Sequence, residues 1–163
     1  MNRKKNRGGF TLLEMMVTLA VVGIMAAIAV PSMAKIIPRI KLRSAASQLA
    51  SDLQVARYRG ISGNFRTQIV FDTGASTYTR NLDTNRNGAF EAGEADIVNR
   101  TMPSGVNFVP GTTAPNVTFD PTGSADDGTA GVGDILVTLA NTASPPETRQ
   151  LSVNRAMGLV KSN

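Results

Sequence analysis

The stretch RGGFTLLEMMVTLAVVGIMAAIAVPSM, residues 7–33, constrains this chain more than any other. From Phe10 to Ala34 only Thr11, Glu14, Thr18 and Ser32 interrupt the apolar sequence. Rising ~1.5 Å per residue as a helix, about 25 residues reach roughly 37 Å, enough to cross a bilayer. A secretory signal peptide is the alternative, with Ala27-Ile28-Ala29 or Ser32-Met33-Ala34 as a small-residue cleavage site. Two features oppose it: the run is longer than a signal core, and Glu14 sits where such a core is most apolar. A plain anchor also tolerates Glu14 poorly, because a carboxylate in hydrocarbon is costly unless it protonates or finds a partner. Basic residues do not orient the run. Arg3, Lys4, Lys5 and Arg7 precede it, and Lys35, Arg39, Lys41 and Arg43 follow it.

The basic leader, then Gly9-Phe10-Thr11-Leu12-Leu13-Glu14, then an apolar helix containing Pro31, resembles the class III signal of type IV pilins and type II secretion pseudopilins. The resemblance implies that a prepilin peptidase cuts after Gly9 and methylates the new amine of Phe10. It also implies that Glu14 pairs with the terminal amine of a neighbouring subunit, and that Pro31 marks where the helix kinks or melts in a filament. The acid is then tolerated because assembly supplies its cation. The leader would lie in the cytoplasm and the rest beyond the bacterial inner membrane, as a single-pass protein whose head is periplasmic or extracellular within a filament. Its partners would be other pilin or pseudopilin subunits, the peptidase and inner-membrane lipid.

The charge balance depends on this reading. The whole chain carries +5, with seventeen basic residues against twelve acids. Removing residues 1–9 takes four basic residues and leaves the remainder nearly neutral. With no cysteine and no histidine, the chain lacks thiolate chemistry, the commonest general base and the usual zinc ligands. No nucleophile motif or phosphate loop appears either, so the expectation is a non-enzyme that requires no cofactor.

Beyond Pro38, apolar residues at Leu42, Ala45, Ala46, Leu49, Leu53 and Ala56 recur with helical three-and-four spacing. Lys41, Arg43, Ser47, Gln48, Ser51, Asp52 and Arg57 form the polar side, and Gly60 with Gly63 supplies a stop. From Arg66 onward, short runs rich in Val, Ile, Thr and Phe alternate with Gly, Pro, Asn and Asp, the pattern of antiparallel strands. The expected strands are 67–71, 78–82, 96–101, 106–109, 117–119, 134–139, 149–153 and 158–161. Ile69, Phe71, Val98, Val106, Phe108, Phe119, Ile135, Val137, Leu139, Leu151 and Val153 should face inward. The expected fold class is α+β and pilin-like: one long helix, half membrane-spanning and half amphipathic, packed on a small antiparallel sheet. The division is leader 1–9, assembly helix 10–34, amphipathic stem 35–60 and β-rich head 61–163. Loops 123–133 and 140–147 read as mobile and exposed. The ending VTFDPTG, DILVTL and RQLSVNRAMGLVK is similar to that of minor pseudopilins of the GspH/FimT type.

DTNRNGAFEAGE, residues 83–94, fits the calcium-loop spacing D-x-[DN]-x-[DN]-G-x5-E. Asp83, Asn85, Asn87, Glu91 and Glu94 would supply side-chain oxygens, Ala89 its carbonyl, and Gly88 the sharp turn. The flanking segments are strand-like, not helical, so a long polar hairpin turn is the competing reading. A second function class also remains: relatives of the FimT type take part in DNA uptake, and Arg149, Arg155 and Lys161 would be the phosphate contacts. Eight basic residues against ten acids from Arg59 onward disfavour it.

Overall fold

The computed structural model describes residues 10–91 and 93–162. The leader with Gly9 lies outside the described residues, as do the side chains of Pro31 and Val98. The chain divides into two compact units meeting between Ile37 and Pro38.

Helix α1 (Leu12–Gly63) contributes to both units. Its backbone stays helical through Pro31 and Pro38, although each proline removes one hydrogen-bond donor from the ladder. The helix stops at Gly63. Asn64 then takes the left-handed conformation at φ 51°, and the Phe65 amide donates to the Gly60 carbonyl at 3.2 Å. The two expected stop glycines therefore end the helix, but an asparagine occupies the left-handed position.

In the second unit, nine strands follow: β1 (Thr67–Asp72), β2 (Thr77–Leu82), β3 (Ala95–Thr101), β4 (Val106–Phe108), β5 (Asn116–Phe119), β6 (Ala125–Asp126), β7 (Ile135–Asn141), β8 (Thr148–Val153) and β9 (Val160–Ser162). All pairings are antiparallel. They build two sheets, ordered β3-β2-β1-β5-β6 and β4-β7-β8-β9, where a single sheet was expected. Pro103, Pro110 and Pro115 fall between β3, β4 and β5, where their missing N–H groups interrupt any continuous ladder. β4 then finds β7 as its partner, with Phe108 opposite Leu139. Strand β6 was not anticipated, because two residues carry no periodicity.

The core lies wholly within this unit. Leu42, Ala45, Ala46, Leu49, Leu53 and Ala56 of α1 are buried in one cluster with Ile69, Phe71, Val117 and Phe119 of the first sheet and Val106, Phe108, Ile135, Val137, Leu139, Leu151 and Val153 of the second. Tyr78, Met102 and Ala125 join them. Each fully buried large side chain contributes about 1.5–3 kcal/mol, so residues 38–163 have their own folding drive. The stem is accordingly part of the head, not a separate segment: its apolar stripe is one wall of the core.

One expectation about a polar residue is corrected, and one polar loop proves to be tethered. Asp52, assigned to the solvated side of the helix, is 6% exposed. It accepts a 2.5 Å hydrogen bond from the Tyr78 hydroxyl and pairs with Arg100 Nε at 3.2 Å. A partner from β2 and another from β3 make its burial tolerable. The loop 123–133, expected to be mobile, is gathered by one side chain. Arg155 donates to Asp126 (3.1 Å), Asp127 (2.7 Å), Thr129 Oγ1 (3.0 Å) and the Gly133 carbonyl (2.8 Å).

Candidate functional site

The first unit opens with a capped helix start. Thr11 Oγ1 accepts the Glu14 amide at 3.2 Å, and the Thr11 carbonyl accepts the Met15 amide at 3.2 Å. Thr11 is thus the N-cap and Glu14 the third helical residue, the T-x-x-E spacing of a capping box. Reading the segment only as membrane and motif misses this local signal. It places the Glu14 carboxylate in the first turn, where the partial positive charge of the helix end favours an anion. Thr18 satisfies its hydroxyl on the Met15 carbonyl at 3.0 Å, so it adds no unmet donor to the apolar surface.

Every residue from Phe10 to Val30 is exposed; Phe10 is 79% and Ile28 70% accessible. The stretch Leu12–Val30 is long and apolar enough to cross a membrane, and none of its residues is buried. An apolar surface this large requires lipid or other chains around it.

In the second unit, loop 83–94 connects β2 to β3, so the strand-like flanks are real strands. It closes on its own polar groups. Asp83, 2% exposed, accepts the amides of Asn87 and Gly88, each at 3.0 Å. Glu94 accepts the amides of Thr84 (3.2 Å) and Glu91 (3.1 Å) and the Thr84 hydroxyl (3.1 Å). The Glu91 amide, followed by those of Asn85 and Thr84, holds the Glu94 carboxyl below its ordinary pKa. Asn85 and Asn87 form turns on the amides of Asn87 and Ala89, at 2.9 and 2.8 Å, and Asn87 Nδ2 donates to Glu91 at 2.8 Å. Gly88 sits at φ +83° with open space around it, so the backbone conformation alone requires glycine there. Among the described residues, no three Asp or Glu side chains gather closely enough to hold a metal ion by themselves. The side-chain oxygens that the spacing nominates are thus engaged in turn geometry.

Arg149, Arg155 and Lys161 are not brought together. Arg155 is occupied by Asp126 and Asp127. Arg149 lies opposite Leu139 on the core side of β8, at its end, whereas Lys161 pairs with Ser152 on the other side of the sheet. A phosphate backbone therefore meets no continuous basic strip formed by these three.

Residues 4–30 match the prokaryotic N-terminal methylation motif, and residues 45–157 match the family described as Type II transport protein GspH. The chain belongs to the GspH family. Among curated proteins, the pilin-like protein PilA1 of Thermus thermophilus is 35% identical over 89 residues, 54% of this chain and 56% of that one. The matched region thus spans about half the length of that relative. The fold resembles the minor pseudopilin EpsH from the type 2 secretion system of Vibrio cholerae, with a TM-score of 0.56 at 13% identity, covering 76% of this chain and 96% of that one. It also resembles the type IV minor pilin FimU of Pseudomonas aeruginosa, with a TM-score of 0.55 at 19% identity, covering 77% and 90%. The pilin-like fold expected from the GspH/FimT resemblance is thereby established, with a methylation motif at its start.

Proposed function

We propose that this GspH-family chain is a minor pilin or pseudopilin, a structural subunit that waits in the inner membrane and is drawn into a filament. Cleavage after Gly9 frees the Phe10 amine for methylation, and Glu14 then pairs with the amine of an adjacent subunit. One observation carries this reading: an exposed apolar helix begins with a capped turn holding its single carboxylate, and joins a head that has its own core. Such a helix has nothing to gain from its own head and much to gain from lipid or from copies of itself in a bundle. The relatives, a pilin-like protein, a minor pseudopilin and a minor pilin, support the same role.

The test has two parts. Mass spectrometry of the mature protein should find methylated Phe10 at the amino terminus; a start near Val30 or Lys35 would mean ordinary secretion instead. Glu14→Gln should remove the subunit from purified filaments while leaving its membrane level unchanged. Undiminished incorporation of that variant would overturn the assembly mechanism.

A further inference from the structure

The arginines of residues 38–163 nearly all have acceptors. Arg39 pairs with Glu147, Arg59 and Arg80 with Asp96, Arg66 with Asp120, Arg100 with Asp52, and Arg155 with Asp126 and Asp127. Arg57 donates to the Gly123 carbonyl and Arg86 to the Gly63 carbonyl. Among the described residues, Arg43 and Arg149 alone of these arginines have no acceptor, and both line the same groove.

That groove, about 350 Å³, runs between α1 and the end of the second sheet. Arg43, Ala46, Ser47 and Ala50 form one wall, and Arg149 and Ser162 the other. An adjoining depression of about 380 Å³ is flanked by the Arg39–Glu147 pair, where the single acid is already engaged. Arg43 and Arg149 both line this groove, and two like charges beside one cavity favour an incoming anion. Their planar forks suit a carboxylate or a phosphate.

We propose that this groove docks a carboxylate side chain of a neighbouring pilin-like subunit, held between Arg43 of α1 and Arg149 of β8. The inference rests on the assembly reading above and adds the chemistry of one lateral contact. Three features favour a protein acid over a nucleic-acid or lipid phosphate. Ser47, exposed on α1, presents only a small side chain to an approaching backbone. The groove holds only a few side chains. Arg155 and Lys161, which a longer polyanion would need, lie elsewhere.

A photo-crosslinking amino acid placed at Ser47 of the full chain, in cells assembling the filament, tests this. The crosslinked peptide should belong to another pilin-like subunit and contain Asp or Glu. Arg43→Glu combined with Arg149→Glu should lower both the crosslink and filament incorporation about tenfold or more, with unchanged Tm. Arg43→Lys with Arg149→Lys, which keeps the charge and loses the fork, should fall between. Reversing the charge of the identified acid should restore the double-glutamate variant. Crosslinks only to lipid or DNA, or a double variant that crosslinks and incorporates normally, would overturn the proposal. If wild type is incorporated in a Glu14-dependent way while the arginine variant is incorporated equally well, this contact alone fails. If wild type never enters filaments, both readings fail.

Discussion

The two stretches of α1 around Leu12–Val30 and Leu42–Ala56 share a secondary structure and differ in where their apolar side chains find company. The second presents a stripe, and strands of its own head cover it, leaving Leu49, Leu53 and Ala56 with no exposure. The first is apolar all round, and among the described residues nothing covers it. An amphipathic stripe can be satisfied within one chain because a single neighbouring layer buries it. A helix apolar on every side requires an enclosing medium or several partners. One half of the helix therefore stabilises the fold, and the other half leaves the chain dependent on its surroundings.

Substitutions that break this contrast should differ most. Leu53→Ala, in the covered stretch, is expected to cost the head about 2–5 kcal/mol in denaturant unfolding, whereas Leu19→Ala should leave head stability within about 0.5 kcal/mol. Equal effects would mean that the halves are not energetically separate.

A smaller loss, about 1–3 kcal/mol, is expected from Asp52→Ala, which leaves the buried Tyr78 hydroxyl without its acceptor. Burial, followed by the Asp52 hydrogen bond, pushes the Tyr78 phenol above its ordinary 10.0. Its contribution is therefore full below that pH and is lost as alkali ionises the unfolded chain first. Chemical unfolding followed above pH 10 should show this decline in wild type and a shallower one in Tyr78→Phe.

Arg155→Ala should release loop 123–133 at a cost of about 1–2 kcal/mol, seen as faster amide exchange there and not along α1. Burial raises the Asp127 pKa, but Thr129's hydroxyl and amide, then Arg155, outweigh it and hold the carboxyl below 3.8. Its stabilisation is present above that value and is lost as pH falls through the depressed folded pKa, so acid should loosen the same loop in wild type and change the variant less.

The smallest effect is expected from calcium. With the oxygens of Asp83 and Glu94 already accepting backbone amides, millimolar calcium should leave Tm unchanged. A rise of several degrees would return the loop to ion binding.

The helix, its stop near Gly63 and most strands could be read directly from the chain, because periodicity and Gly or Pro punctuation are local signals. The same holds for the membrane run and Glu14. Where the strands go could not be read that way. The split into two sheets depends on β4 choosing β7 across some thirty residues, and a three-residue strand carries no address for its partner. Asp52 shows the limit most clearly. Its helical position looked solvated, and only the arrival of Tyr78 and Arg100 from distant strands made its burial tolerable. Arg149 and Arg155, six residues apart, teach the same lesson: one ends beside a groove with no acceptor among the described residues, and the other is locked among acids. By itself the sequence determined which segments are helix or strand and which surface needs outside company, because those follow from each residue's own chemistry and its near neighbours. Tertiary structure alone decided which charges are spent and which remain available, because an ion pair forms only where folding brings distant side chains within reach.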